Sequence, residues 1–213
     1  MTSMNKLLRS LLATIVAIQI IAAPLPAYAD VVQVSPGLYM AGIRTDEFQY
    51  FAAPEGYGRQ RSANWCWAAC IQMVLNYKGL YITQEEIVAK VYGRLVDQPA
   101  QAEQIVGALN GWAPDSSGGY AAVVADPYHI SGLSLVHDLA GRYPLIIGLK
   151  GDPIGHAYVL TAVTYELDQN YQPVFRSVVL RNPWPGSPSR EEMGWNEFMS
   201  RVMFATRIHM YRL

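Results

Sequence analysis

The sequence is short of charge and of cysteine, and each shortage excludes a class of protein. Only 15% of its 213 residues are charged, and 16 Lys and Arg nearly balance 17 Asp and Glu. This balance provides no strongly basic surface of the kind that binds nucleic acid through bulk electrostatics. Two cysteines exclude a disulfide-rich scaffold and a zinc module built on four cysteines. With 51% hydrophobic residues, the chain can build the core of one ordinary domain.

Long hydrophobic runs are also scarce, and the one that stands out lies at the N-terminus. A basic start precedes an apolar stretch at 11–23, and the sequence Ala-Tyr-Ala follows at 27–29. This order is typical of a secretory signal peptide, and the apolar stretch is too short to span a hydrocarbon layer about 30 Å thick. We therefore expect residues 1–29 to be a signal peptide and the mature chain to begin at Asp30. The expected product has no stable membrane anchor and is secreted or periplasmic.

The hydrophobic period changes midway along the mature chain. The first half carries helix signals, including a capping box of Thr83 and Glu86; helices are predicted at 64–78, 83 onward, 100–110 and 133–141. The second half carries β-branched and aromatic runs; strands are predicted at 38–43, 144–150, 156–167, 174–180 and 204–211. A loop is expected at 113–119 and a hairpin tip at 168–170. The pattern predicts an α+β domain at 56–213, preceded by an N-terminal segment at 30–55.

Cys66 is the most informative residue of the first helix. If Asn64 caps this helix, Cys66 lies in the first turn, where the positive end of the helix dipole favours a thiolate. That position suits a nucleophile, although a buried structural cysteine remains open for this residue taken alone. Cys70, one turn later, is interpreted as part of the helix core.

The residues around Cys66 strengthen the nucleophile hypothesis. Gln60 lies six residues upstream and Trp67 follows directly. This spacing resembles the active-site segment of papain-like cysteine peptidases. The resemblance implies that Cys66 is the nucleophile, that the Gln60 amide helps to stabilise the oxyanion, and that Trp67 supports the nucleophile helix.

Two further segments resemble the same family. His156, between a glycine and an alanine at the start of a predicted strand, matches the general base. Asn182 follows the next strand and matches the residue that orients the imidazole, while Trp184 matches the tryptophan that shields this contact from water. Asp168 is the competing orienting residue, but it falls in the predicted hairpin tip. The other three histidines are interpreted as structural or solvated.

The matched segments cover about 56–205 and are similar to the small bacterial members of the family, namely the plant-pathogen effector type and, more remotely, the bacteriocin-leader peptidases. The resemblance implies an N-terminal helical lobe with the nucleophile helix, packed against a C-terminal antiparallel β lobe. It implies a thiol hydrolase that cleaves a protein or peptide substrate without a cofactor or metal, and the signal-peptide pattern predicts that this hydrolase is exported. The alternatives are a papain-like acyltransferase, a cell-wall peptide amidase, a catalytically silent binding module, and an exported thiol protein in which Cys66 and Cys70 react together.

Overall fold

The computed structural model describes residues 31–52, 58–114, 120–151 and 154–212. The predicted signal peptide and most of the predicted loop at 113–119 lie outside the described residues. Within the described part of the chain, no helix is long and apolar enough to cross a membrane.

The described residues form nine strands and six helices. The strands are β1 Val31–Ser35, β2 Leu38–Gly42, β3 Gly111–Pro114, β4 Tyr120–Pro127, β5 Leu145–Leu149, β6 His156–Leu167, β7 Pro173–Arg181, β8 Arg190–Gly194 and β9 Val202–Arg212. The helices are α1 Thr45–Ala52, α2 Cys66–Tyr77, α3 Gln84–Tyr92, α4 Ala102–Leu109, α5 Gly132–Ala140 and α6 Trp195–Arg201.

All nine strands belong to one sheet whose pairs are antiparallel. Strand β6 is its centre, because one edge pairs with β5 and then with β2 along its length. The opposite edge of β6 pairs with β7, which in turn pairs with β8. Beyond β5 the sheet continues through β9, β4 and β3.

Alternating side chains of the sheet divide the core into two parts. Ala157 and Val159 of β6 face a cluster that includes residues of helices α1 to α4. Tyr158 and Leu160 face a second cluster that includes residues of α5 and α6. Because successive residues of a strand point to opposite faces, β6 is buried on both sides for most of its length.

Most of the predicted elements are present, and the α+β class is confirmed. The nucleophile helix begins at Cys66 and ends before Gly79, whose φ is 85°. Thr83 and Glu86 form the predicted capping box. The turn between β6 and β7 is closed by Asp168, whose Oδ1 accepts hydrogen bonds from the N–H groups of Asn170 and Gln172 at 2.7 and 2.8 Å.

The described part of the N-terminal segment at 30–55 contributes directly to this fold. Strand β2 pairs with β6, and Phe48 of α1 is fully buried with its ring 5.1 Å from that of Tyr77 on α2. The described part of this segment therefore packs into the same core as the helices and the sheet. Strands β1, β3, β4 and β8 and helices α1 and α6 are additions to the predicted set.

Gly42 lies at the end of β2, packed closely against β6. Its φ is 151°, and an added Cβ would lie 2.3 Å from the carbonyl oxygen of Thr161 and 2.5 Å from the Cα of Ala162. Only a residue without a side chain fits this contact. The next residue, Ile43, donates its N–H to the same Thr161 carbonyl at 2.9 Å.

Candidate active site

Cys66 is the first residue of α2, and backbone N–H groups surround its thiol. Hydrogen bonds from the N–H groups of Cys66, Trp67 and Ala157 favour its thiolate form. Two of these donors belong to the helix start, where N–H groups have no partner within the helix. The third comes from β6, so the contact joins the helix to the sheet beside His156.

The local cap differs from the prediction. The N-cap residue is Trp65 and has no side-chain cap hydrogen bond. Asn64 instead donates its backbone N–H to Asp97 Oδ1 at 2.8 Å and its side-chain amide to the Asp97 carbonyl at 3.3 Å. No side chain of the N-cap residue therefore occupies the N–H groups at the start of α2, and these groups can face the Cys66 thiol.

His156 and Asn182 are brought together by the β6–β7 hairpin. His156 is the first residue of β6 and Asn182 directly follows β7. His156 Nε2 lies 2.9 Å from Asn182 Oδ1. An amide oxygen is only an acceptor, so Nε2 carries the proton in this contact and Nδ1 is the nitrogen left to act as a base. Asp168 stays in the hairpin turn at the other end of these strands.

A cleft of about 450 Å³ contains both Cys66 and His156. Its lining is mainly apolar and comes from the loop before α4, from α4 and from the β5, β6 and β9 strands; examples are Pro99, Ile105, Ile154, Met203 and Phe204. The nucleophile and the base predicted from sequence therefore share one concave surface.

The two predicted supporting tryptophans have different environments. Trp67 is buried in the core and donates its Nε1–H to the Gln98 carbonyl at 3.1 Å. The ring of Trp184 lies edge-on to His156, with centroids 6.4 Å apart, and 44% of its surface is exposed. Trp184 therefore lies beside the His156 imidazole at the surface.

Gln60 is not placed as the family resemblance implies. Its Nε2 lies 2.9 Å from the carbonyl oxygens of both Ser62 and Ala63, so the amide hydrogens are turned towards its own loop. It is 5% exposed, its Oε1 has no partner, and it lines a separate depression with Trp184. In this conformation its side chain does not donate towards Cys66.

The loop that carries Asn182 is held from the opposite side by Arg59. The Arg59 guanidinium donates to the carbonyls of Asn182 and Trp184, both at 2.9 Å, and to that of Ser187 at 3.0 Å. The backbone N–H of Gln60 also donates to the Pro183 carbonyl at 2.9 Å. These contacts tie the segment before α2 to the loop after β7, so the relative position of nucleophile and orienting residue is fixed.

Burial dominates the proton affinities of the reactive pair. Burial raises the pKa of the Cys66 thiol above its ordinary value, although the surrounding N–H groups partly offset this. Burial also lowers the pKa of His156, with the Asn182 hydrogen bond and the Glu191 charge acting against it. In the free site burial therefore outweighs the helix dipole at Cys66, and the neutral thiol and neutral imidazole are favoured.

This electrostatic balance predicts a two-step pH profile for alkylation of Cys66 by iodoacetamide. As the pH rises, the alkylation rate first reaches a shoulder, because His156 loses its own proton and can then accept the proton of the Cys66 thiol. The full rate is reached only above the ordinary thiol pKa of about 8.5, when the thiol ionises outright. The Cys70→Ala variant restricts the measurement to one thiol. A single plateau extending from acid pH upward would contradict this profile.

The remaining cysteine and histidines lie away from the cleft lining. Cys70 is free and has no exposed surface, which fits the helix-core interpretation and does not suit paired thiol chemistry. His129 and His137 are exposed, and His209 lies 3.8 Å from Asp126. In the residues that the structure describes, no group of three or more His, Cys, Asp or Glu side chains could hold a metal ion.

Comparisons with solved structures show similarity to bacterial peptidase domains. The peptidase domain of Streptococcus ComA, described as a bifunctional ABC transporter of a quorum-sensing pathway, is 18% identical with a TM-score of 0.49; the match covers 73% of this chain and 96% of that one. A double glycine motif protease from an AMS/PCAT transporter, solved with a leader peptide, is 17% identical with a TM-score of 0.46 over 73% and 89%. The Streptococcus mutans ComA domain is 16% identical with a TM-score of 0.41 over 71% and 96%.

A comparison with curated protein sequences gives no match. The family model described as "Papain-like cysteine protease AvrRpt2" matches residues 48–203, which include both cleft residues and the β6–β7 hairpin. The chain therefore belongs to the AvrRpt2 family of papain-like cysteine proteases and is a cysteine-type peptidase.

Proposed function

We propose that this peptidase cleaves peptide bonds with a triad of Cys66, His156 and Asn182. The observation that carries the proposal is the 2.9 Å contact between His156 Nε2 and Asn182 Oδ1 in a histidine that shares the cleft with Cys66. The contact fixes the ring and its tautomer, so that Nδ1 is available to the thiol. A nucleophile, a base and an orienting group are thereby combined.

The reaction follows from this arrangement. Nδ1 of His156 takes the thiol proton as Sγ of Cys66 attacks the carbonyl carbon, and the imidazolium then gives that proton to the leaving amine. The C–N bond breaks and leaves a thioester on Cys66. A water molecule, deprotonated by the same nitrogen, attacks the thioester and releases the acid and the thiol.

The oxyanion formed in each attack is proposed to bind at the start of α2. The backbone N–H of Cys66 lies there without a helical acceptor, in the positive end of the helix dipole. Gln60 becomes a second donor only if its amide leaves the carbonyls of Ser62 and Ala63. The Oε1 of Gln60 has no hydrogen-bond partner, so only its Nε2 holds the side chain in place, which supports such a movement.

We also propose that the peptidase is exported. The support is the signal-peptide pattern at 1–29 and its Ala-Tyr-Ala end. Expression of the full chain in a bacterial host, followed by mass spectrometry of extracytoplasmic fractions, should give a product that begins at Asp30. Recovery of the uncleaved chain from the cytoplasm alone would contradict export without affecting the triad.

The triad assignment predicts unequal effects of Asn182 and Asp168. Asn182→Ala should lower kcat for peptide hydrolysis by about 10- to 100-fold, because His156 loses its orienting partner while Cys66 and His156 remain. Asp168→Ala should leave kcat within about twofold, because that side chain only closes the hairpin turn. Both are measured by steady-state kinetics on a peptide that the wild-type protein cleaves. A severe loss from Asp168→Ala together with an unaffected Asn182→Ala would overturn the assignment.

A further inference from the structure

Glu191 of β8 makes the shortest hydrogen bond to the proposed triad. Asn182 Nδ2 donates to Glu191 Oε1 at 2.6 Å, and Asn182 itself is 4% exposed. Glu191 is half-buried, whereas its neighbour Glu192 is exposed. A donor–acceptor distance this short is typical of a hydrogen bond to a charged group.

The register of β7 and β8 explains this contact. Leu180 of β7 pairs with Glu191 of β8, and the ladder continues with the N–H of Asn182 donating to the Ser189 carbonyl at 3.0 Å. Glu191 is therefore a diagonal neighbour of Asn182 across the strand pair, within reach of a long side chain. The position depends on regular pairing and not on a loop conformation.

We propose that Glu191 is a positioning residue of the triad: its carboxylate holds the Asn182 amide with the oxygen towards His156 and favours the protonated imidazole. This inference rests on the proposed function. An asparagine amide can rotate and present its NH₂ group instead of its oxygen. Two contacts prevent that rotation. The Glu191 carboxylate can only accept a hydrogen bond, so the NH₂ group must face it, and the N–H of Trp184 donates to Oδ1 at 2.9 Å.

The charge of Glu191 has an effect beyond orientation. A neutral asparagine cannot by itself stabilise an imidazolium as a carboxylate does, but a carboxylate bonded to the far side of its amide polarises the amide towards the ring. The negative charge of Glu191 raises the pKa of His156, against the larger lowering by burial. The chain thus supplies a carboxylate two hydrogen bonds away from the histidine, through the Asn182 amide.

Other titratable and charged groups face this region from the surrounding elements. They are Cys66 on α2, Tyr158 on β6, Glu103 on α4, Arg201 at the end of α6 and Arg59 before α2. Burial is the main cause that raises the pKa of Tyr158, so it stays neutral while His156 titrates. Arg59 points to backbone carbonyls of the loop after β7. Glu191 is the acid with a direct bond to Asn182 among the described residues.

The test uses iodoacetamide as a probe of Cys66, in the Cys70→Ala background, and needs no substrate. Glu191→Gln keeps an oxygen that accepts from Asn182 but removes the charge. We expect the shoulder of the alkylation profile to begin at lower pH and to be about threefold or more lower, with the high-pH rate unchanged. Glu191→Ala, which also frees the amide, should lower the shoulder further.

Glu192→Gln is the matched control. Glu192 is adjacent on β8 but accepts from Ser177 Oγ at 2.7 Å and lies 3.6 Å from Arg190, away from the triad. Its profile should superimpose on that of the parent. Equal shifts in Glu191→Gln and Glu192→Gln would show a general surface-charge effect and overturn the inference, as would a Glu191→Gln profile identical to the parent's.

An exchange of the two side chains gives a second criterion. Asn182→Asp alone places a carboxylate directly against His156 and beside Glu191; the two carboxylates share one proton, and the remaining negative charge should keep the shoulder at or above the parent's. The double variant Asn182→Asp with Glu191→Gln keeps one carboxylate held by an amide, and its shoulder should lie at or above the parent's. A double variant with a shoulder as low as that of Glu191→Gln alone would contradict the proposal. A parent profile unchanged by His156→Ala would instead overturn the triad itself.

Discussion

Cys66→Ala is expected to abolish peptide hydrolysis, with a loss of at least about 10³-fold in kcat/KM. The physical reason is that no other described cysteine can reach the substrate cleft, since Cys70 has no exposed surface. Thermal unfolding should change little, because Cys66 sits at the cleft wall and loses only one sulfur atom on replacement by alanine. Steady-state kinetics and calorimetry of the same preparation measure the two effects.

Cys70→Ala is the matched control, one helical turn away. It should keep most of the activity but lose about 1–2 kcal/mol of unfolding free energy, because its sulfur is packed in the core and its removal leaves a small cavity. Cys66→Ala should therefore lose activity but little stability, whereas Cys70→Ala should lose stability but little activity. Equal loss of activity in both, without unfolding, would favour paired thiol chemistry and contradict the triad.

Gly42→Ala is expected to lower the free energy of unfolding by about 3–5 kcal/mol, which is more than the loss expected for Cys70→Ala. The added methyl group would meet the backbone of Thr161 and Ala162 at 2.3–2.5 Å, and backbone atoms of a central strand cannot move aside without breaking its pairing. The backbone at φ 151° adds strain for any residue with a Cβ. Urea denaturation followed by tryptophan fluorescence measures the change.

Gly37→Ala separates these two causes. Gly37 also has a positive φ, 78°, but an added Cβ there would meet nothing within 4 Å. Its replacement should cost only about 1 kcal/mol, from backbone strain alone. Similar losses in the two variants, or a Gly42→Ala protein as stable as the parent, would show that β2 is not held closely against β6.

The parts of the fold predicted from sequence are those with strong local signals. Helix α2 has a largely apolar sequence ended by a glycine, α3 has its capping box, and the β6–β7 hairpin joins two β-branched strands through a turn at Asp168. Strand β1 is exposed along its whole length, so it carries no burial pattern. Strand β8 is short and polar, and only its pairing with β7 makes it a strand.

The candidate site was predictable where a single residue type carries the chemistry. Cys66, His156 and Asn182 follow from motif and spacing, and the structure brings the histidine to the asparagine and to the cleft of the cysteine. The direction of the Gln60 amide depends on which carbonyls its own loop offers, which spacing cannot show. The contact of Glu191 depends on a strand register with no sequence signature, and the pKa of Cys66 depends on burial, which opposes the helix dipole.

Because β6 lies at the centre of the sheet, loss of enzyme activity on denaturation should accompany unfolding of this strand. Strand β6 pairs with three other strands and carries His156 at its first residue, so the amide hydrogens of Val159, Leu160, Ala162 and Val163 lie in segments paired on both edges. These amides should exchange with deuterium only through global unfolding, whereas those of edge strand β1 should exchange through local fraying. In a denaturant series, inactivation and exchange at β6 should then share one midpoint, which makes hydrogen exchange at this strand a direct measure of the fraction of competent enzyme.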